Sequence, residues 1–163
     1  MSVGRCQVRH RVPGALTVHT YVIIDCAVRS DAALNLRFYA SDLPHRSLFW
    51  GQPEAKHADA GPWLVQTDGS AALHGWLNAL EGTGHGVPCV SYLSSAEDFE
   101  AVFTHLQSFL DLRLSNGASA LFRFWDPRAF QRLQRVLTRE QLHSLMSPFS
   151  EWRTTSGRYG NAH

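Results

Sequence analysis

The segment of residues 120–128 constrains the fold most, because it joins a strand signal directly to a helix start. Residues 120–125 are apolar, β-favouring and aromatic apart from one arginine. Asp126 suits a helix N-cap, and Pro127 suits the first helical position, where its missing N–H costs no hydrogen bond. The pattern therefore predicts a strand that runs into a helix. Such a junction would place three side chains near one edge of a sheet: Arg123, Trp125 and Arg128.

Strand and helix signals alternate along the rest of the chain. Strands are expected within residues 18–27, 63–66 and 87–93, and a short strand or turn at residues 46–50. Helices are expected within residues 30–42, where Leu34 and Phe38 are at helical spacing, and within residues 70–80. Three further helices are expected to begin at a capping box at 94–97, at Pro127, and at a second capping box at 138–141. This alternation favours an α/β fold, a single layered domain with a central, mixed β-sheet flanked by helices and a C-terminal helical pair.

The domain boundaries follow from composition. Residues 1–17 are basic and end near a Pro-Gly turn, so we expect an N-terminal arm or edge strand. Residues 18–150 carry the predicted elements and form the domain. Residues 151–163 are mostly polar and rich in glycine, and we expect a flexible tail there.

The overall composition limits the classes of function. The chain has 163 residues, is 44% hydrophobic and carries a net charge of only +1, which argues against nucleic acid as its main partner. No apolar run could span a bilayer and the N-terminus lacks a secretory signal, so no membrane partner is expected. Three cysteines without a CxxC pair favour a reducing compartment, and we expect a cytoplasmic protein.

Candidate catalytic and metal-binding patterns are weak. The nine histidines do not follow the spacing of zinc motifs, and the glycine-rich segment 82–86 lacks the lysine of a phosphate-binding loop. Asp25 ends a buried strand, where catalytic carboxylates are often found in α/β proteins. It is expected either to cap the next turn or pair with an arginine, or to act with a histidine as an acid/base pair. We expect no metal and no cofactor.

The aromatic residues offer a candidate binding surface. Tryptophan and arginine dominate the energetic centres of protein interfaces, and the chain has five tryptophans. The candidate partner-binding residues are Trp63, Arg123, Trp125 and Arg128. The residues with an expected structural role are Asp25, Asp126 and Pro127.

Four segments in a fixed order carry a resemblance to a known family. They are residues 21–27 (Tyr-Val-Ile-Ile-Asp-Cys-Ala), 61–65 (Gly-Pro-Trp-Leu-Val), 103–106 (Phe-Thr-His-Leu) and 121–128 (Leu-Phe-Arg-Phe-Trp-Asp-Pro-Arg). The chain resembles the bacterial domain-of-unknown-function family of adaptor and chaperone proteins of the type VI secretion system. The resemblance spans about residues 18–150.

The resemblance implies a function that composition does not show. Members of the family bind a toxic effector and help to load it onto the VgrG spike, and they are not known as enzymes. Many members carry an additional helical lobe that this sequence does not include. A short member is expected to hold one partner, or to need a second small co-chaperone.

Within the matched motif, two interpretations of the arginines stay open. Arg123 and Arg128 either hold the fold, by stacking on Trp125 or pairing with a carboxylate, or hold a partner. Two rival functions also remain: a small α/β enzyme that uses Asp25, and an immunity or regulatory protein from the same gene cluster.

Overall fold

The computed structural model describes residues 16–82 and 86–160. Its strands are β1 (His19–Asp25), β2 (His45–Ser47), β3 (Pro62–Gln66), β4 (Val90–Ser95), β5 (Asp111–Arg113), β6 (Ser119–Leu121), β7 (Phe149–Thr154) and β8 (Gly157–Gly160). Its α-helices are α1 (Ala32–Tyr39), α2 (Ala71–Gly82), α3 (Phe99–Gln107), α4 (Pro127–Val136) and α5 (Arg139–Met146). Two 3₁₀ segments span Cys26–Val28 and Pro53–Ala60.

Six strands form one sheet in the order β2-β3-β1-β4-β7-β8. The α/β class and the flanking helices are confirmed. The prediction of a mixed sheet is wrong, because every pair of neighbouring strands is antiparallel. Alternation of signals did not fix the strand directions, since β2 runs in the same direction as β1 and the chain reverses between β2 and β3, which lies between them in the sheet. The short strand β2 pairs with β3, so the segments near Trp50 and Trp63 form a hairpin at one edge of the sheet.

The central strand β1 divides the core into two halves. Tyr21 and Ile23 face one side, where residues of α3, α4 and α5 complete the cluster. Val22 and Ile24 face the other side and pack with α1 and α2. Since successive side chains of a strand point to opposite faces, a continuous buried run of this kind marks a strand covered on both sides.

The junction at residues 120–125 is shorter as a strand than the sequence pattern predicts. Only Ser119–Leu121 is extended, and it pairs with β5 in a separate two-stranded sheet. Phe124 and Trp125 are consecutive and both buried. A regular strand would send one of them to the opposite face, so the chain must turn here to bury both.

The structure also corrects the prediction of a flexible tail at residues 151–163. Residues 149–154 and 157–160 form a β-hairpin on the end of the main sheet, and Trp152 is fully buried. Its ring stacks on Phe130 with the centroids 4.4 Å apart. Two aromatic residues, Trp152 and Tyr159, on either side of a glycine turn were the signal for this hairpin. The domain therefore continues to at least Gly160, whereas the predicted arm falls mainly on residues 1–15, outside the described part.

The helix starts agree with the sequence in two cases and differ in one. Thr138 and Gln141 form the predicted capping box of α5, and Asp126 caps α4. For α3 the cap is Asp98, whose side chain accepts from the N–H of Ala101, because the predicted capping box starting at residue 94 still lies partly in β4. Among the described helices, none is both long and apolar enough to cross a membrane.

Candidate partner-binding site

Two carboxylates and two arginines meet where β1 ends and α4 begins. Asp25 is the last residue of β1, and the other three side chains come from the turn before α4 and from its first turn. Arg123 Nη2 lies 3.4 Å from Asp25 Oδ2 and 3.6 Å from Asp126 Oδ2. Arg128 Nη2 lies 3.0 Å from Asp126 Oδ2. We name these four residues the Asp-Arg cluster.

The carboxylate of Asp126 both caps the start of α4 and binds the guanidinium of Arg128. Its Oδ1 accepts from the backbone N–H of Arg128 at 2.9 Å, which is the N-cap hydrogen bond. The same carboxylate accepts from Nε and Nη2 of Arg128 in a two-pronged contact. Burial acts to raise the pKa of Asp126, but the side-chain and backbone hydrogen bonds of Arg128 outweigh it and leave the pKa lowered. The predicted structural role of Asp126 and Pro127 agrees with this geometry.

Asp25 has a different environment. Its Oδ1 accepts from the backbone N–H of Ala27 at 3.1 Å, and its Oδ2 faces Arg123. Burial raises the pKa of its carboxyl group, and the hydrogen bond from Ala27 and the charge of Arg123 offset this only in part. Within the described residues no histidine hydrogen-bonds to Asp25, so the acid/base pair that the enzyme alternative requires is not formed there.

Both arginines of the cluster combine a fixed position with access to solvent. The side chains of Arg123 and Arg128 are 51% and 56% exposed, whereas the carboxylates they contact are only 5% and 9% exposed. An arginine that is already oriented by a buried carboxylate loses less side-chain entropy when a partner binds. The arrangement can therefore serve the fold and a partner together, so the two interpretations of these residues are compatible.

The two tryptophans predicted to bind a partner are buried, and the structure corrects that prediction. Trp125 is only 2% exposed, and its ring packs edge-on against Phe49 and Phe124. Trp63 is 9% exposed, and its Nε1–H donates to the carbonyl of Ala58 at 2.9 Å. Both residues hold the core, and neither offers its ring to a partner. Residue type and position in the motifs suggested them, but neither separates a core tryptophan from an interface one, since tryptophan is common in both.

Exposed aromatic residues occur elsewhere. Helix α1 buries Ala32, Ala33 and Leu36 and leaves Phe38, which shares a helical stripe with Leu34, 74% exposed. Trp50 is 63% exposed and lies under the guanidinium of Arg46, 5.2 Å from the ring centroid. Helical spacing identified a stripe on α1, but it could not say which of two stripes faces the sheet.

A shallow groove of about 410 Å³ crosses the sheet beside α2. Its floor includes Tyr92, with His74 stacked on one side at 6.2 Å and the guanidinium of Arg153 4.3 Å from the ring centroid. The far side of the groove is lined by Glu151, Arg153 and Arg158 of the β7–β8 hairpin. In the described part of the chain, no group of three or more potential ligands could hold a metal ion.

A comparison with known protein families identifies the family of the chain. Residues 20–144 match the model of DUF4123, a domain of unknown function, and this is most of the chain. The chain belongs to the DUF4123 family. All four residues of the Asp-Arg cluster lie inside the DUF4123 match, whereas the β7–β8 hairpin lies beyond it. No curated protein and no solved structure shows a significant match to the chain.

Proposed function

We propose that this DUF4123 protein is a non-enzymatic, cytoplasmic adaptor that binds a type VI secretion effector and promotes its loading onto the VgrG spike. The proposal joins the family match to the motif resemblance in residues 121–128. The observation that carries it is the Asp-Arg cluster, which presents two half-exposed guanidinium groups on buried carboxylates. Such a site can recognise a partner without a chemical step.

The cluster geometry favours recognition over catalysis by Asp25. Its carboxylate is 5% exposed and engaged by Arg123 and a backbone N–H, so a substrate has little access to it. The exposed groups are guanidiniums, which bind carboxylates and backbone carbonyls of proteins. These contacts suit a protein partner such as an effector or VgrG.

Co-purification tests the proposal. The tagged chain is co-expressed with a VgrG and a type VI effector of the same organism, each alone and both together. We expect at least one partner to be retained at low micromolar concentration, and both when all three proteins are present. Retention of neither partner contradicts the proposal. Rescue of cells from the effector without any binding to VgrG would instead indicate an immunity protein.

Variants of the cluster locate the interface. Arg128→Gln removes an exposed guanidinium while the N-cap hydrogen bond to the backbone of residue 128 can remain. We expect it to weaken retention of a partner by about tenfold, because arginine is a frequent interface hot spot. Arg113→Gln is the matched control, since Arg113 is exposed on β5 and outside the cluster. Equal retention by both variants would remove the cluster from the interface.

A further inference from the structure

We propose that the exposed face of α4 is a docking surface for an acidic segment of a partner protein. This face carries Arg128, Arg132 and Arg135, which we name the arginine face. The three residues are spaced i, i+4 and i+7, so they form one stripe along the helix over roughly 10 Å. All three are exposed, whereas Phe130 on the other side of α4 is fully buried.

The arginine face lacks the acidic neighbours that usually accompany exposed arginines. Helix α4 contains no Asp or Glu, and in the described part of the chain Arg132 and Arg135 form no ion pair. Arg128 is paired, but with the buried Asp126 that precedes the helix. Two of the three charges are therefore free to meet carboxylates from outside.

Helix stability accounts for Arg135, a cation in the last turn that suits the helix dipole, but not for the stripe as a whole. Arg128 and Arg132 are like charges at i, i+4, and Arg132 and Arg135 are like charges at i, i+3, and both spacings destabilise a helix. A cation in the first turn, such as Arg128, also opposes the helix dipole. Local rules are broken in this way mostly at functional sites. An external acidic partner would relieve the repulsion.

The guanidinium groups of the arginine face are best suited to bind carboxylate side chains of a protein. All but one of the 15 basic residues of the chain are arginine, and the planar guanidinium matches a carboxylate with two hydrogen bonds. The net charge of +1 means that the positive field is local and does not extend over the surface. A short stripe on a nearly neutral protein suits a helix or strand with three spaced acidic residues better than a nucleic acid duplex.

A labelled peptide tests the inference directly. The probe is a helical, alanine-rich peptide of about 15 residues with three glutamates at i, i+4 and i+7. Its control has the same composition, with the glutamates spread around the helix. By fluorescence anisotropy at about 50 mM salt, we expect the first peptide to bind about tenfold more tightly, and the difference to shrink at about 300 mM salt. Equal binding of both peptides, or no binding, contradicts the proposal.

Two charge-reversal variants provide the protein-side control. Arg132→Glu with Arg135→Glu alters the arginine face, and Lys56→Glu with Arg113→Glu makes the same change in net charge at exposed positions outside α4. We expect about a tenfold loss of peptide affinity in the first variant only. Its unfolding midpoint should stay close to that of the wild type, because the opposite pair gained at residues 128 and 132 offsets the new acidic charge in the last turn of α4. Equal losses in both variants would contradict the proposal, as would tighter binding of a DNA duplex.

The identity of the partner as an effector or VgrG rests on the proposed function, and the two claims fail separately. If the tagged wild-type chain retains neither of these two proteins, the adaptor function fails. If the wild type and the Arg132→Glu, Arg135→Glu variant retain them equally, the adaptor function stands and the arginine face is excluded. We expect retention by the wild type and by the Lys56→Glu, Arg113→Glu control, with loss in the α4 variant.

Discussion

Asp25 and Asp126 are neighbouring buried carboxyl groups whose pKa values move in opposite directions. Burial raises the pKa of Asp25, so its contribution to stability is present below its ordinary value of 3.8 and is lost as the pH rises through the raised pKa. The pKa of Asp126 is lowered, because hydrogen bonds from Arg128 outweigh burial. Its contribution is present above the ordinary value and is lost as the pH falls through the lowered pKa.

Two substitutions of Asp126 distinguish its N-cap hydrogen bond from its ion pairs with the arginines. Asp126→Ala removes both, and we expect it to lower the free energy of unfolding by about 1–2 kcal/mol. Asp126→Asn keeps an N-cap acceptor and loses only the ion pairs with half-exposed arginines, so the loss should be smaller by about 1 kcal/mol. Urea unfolding at neutral pH measures both. Equal losses would mean that the carboxylate charge, and not the cap, holds α4.

The pair formed by Asp25 and Arg123 is tested by a double-mutant cycle. Arg123→Gln leaves the buried carboxylate without its cation and should cost about 1 kcal/mol at pH 7, a modest figure because half of the arginine is in water. In an Asp25→Asn background the same change should cost clearly less, because only the 3.6 Å contact of Arg123 with Asp126 is then lost. Asp25→Asn alone should also flatten the decline in stability as the pH rises above the ordinary pKa of 3.8. Additive effects of the two changes would contradict the coupling.

At the scale of elements, the sequence predicted the buried strand, the helix caps at residues 126 and 138 and the helices themselves, because these signals are local. It did not predict the direction of the strands, which depends on the whole path of the chain. It also misassigned Trp63 and Trp125, since burial of an aromatic ring depends on distant residues. The two arginines of the cluster were found from their motif, but Asp25, which Arg123 contacts, lies 98 residues away in the sequence and only the fold joins the two.

The β7–β8 hairpin should be essential for stability, although composition suggested a flexible tail. Trp152 is fully buried and stacks on Phe130, so Trp152→Ala should lower the free energy of unfolding by about 3–5 kcal/mol. Trp50→Ala is the matched control. Trp50 is 63% exposed and contacts the guanidinium of Arg46, so its loss should cost about 1 kcal/mol or less. Similar losses in both variants, measured by urea unfolding, would place the hairpin outside the cooperative core.

At the scale of the whole molecule, two buried thiols report on opening of the core between the sheet and α1 and α2. Burial raises the pKa of Cys26 and of Cys89 to about 12. In a Cys6→Ser variant, we expect less than about one tenth of the thiols to react quickly with Ellman's reagent near pH 8, and all of them in denaturant. Rapid labelling of the native protein would show that this side of the core opens easily.

The central claim is that the chain joins an effector to VgrG, and one measurement tests it most directly. VgrG is immobilised, and the effector is passed over it with and without the purified chain. We expect effector to be retained only when the chain is present, and retention to fall when the chain carries Arg128→Gln but not Arg113→Gln. Effector retained equally without the chain, or not retained with it, would contradict the account.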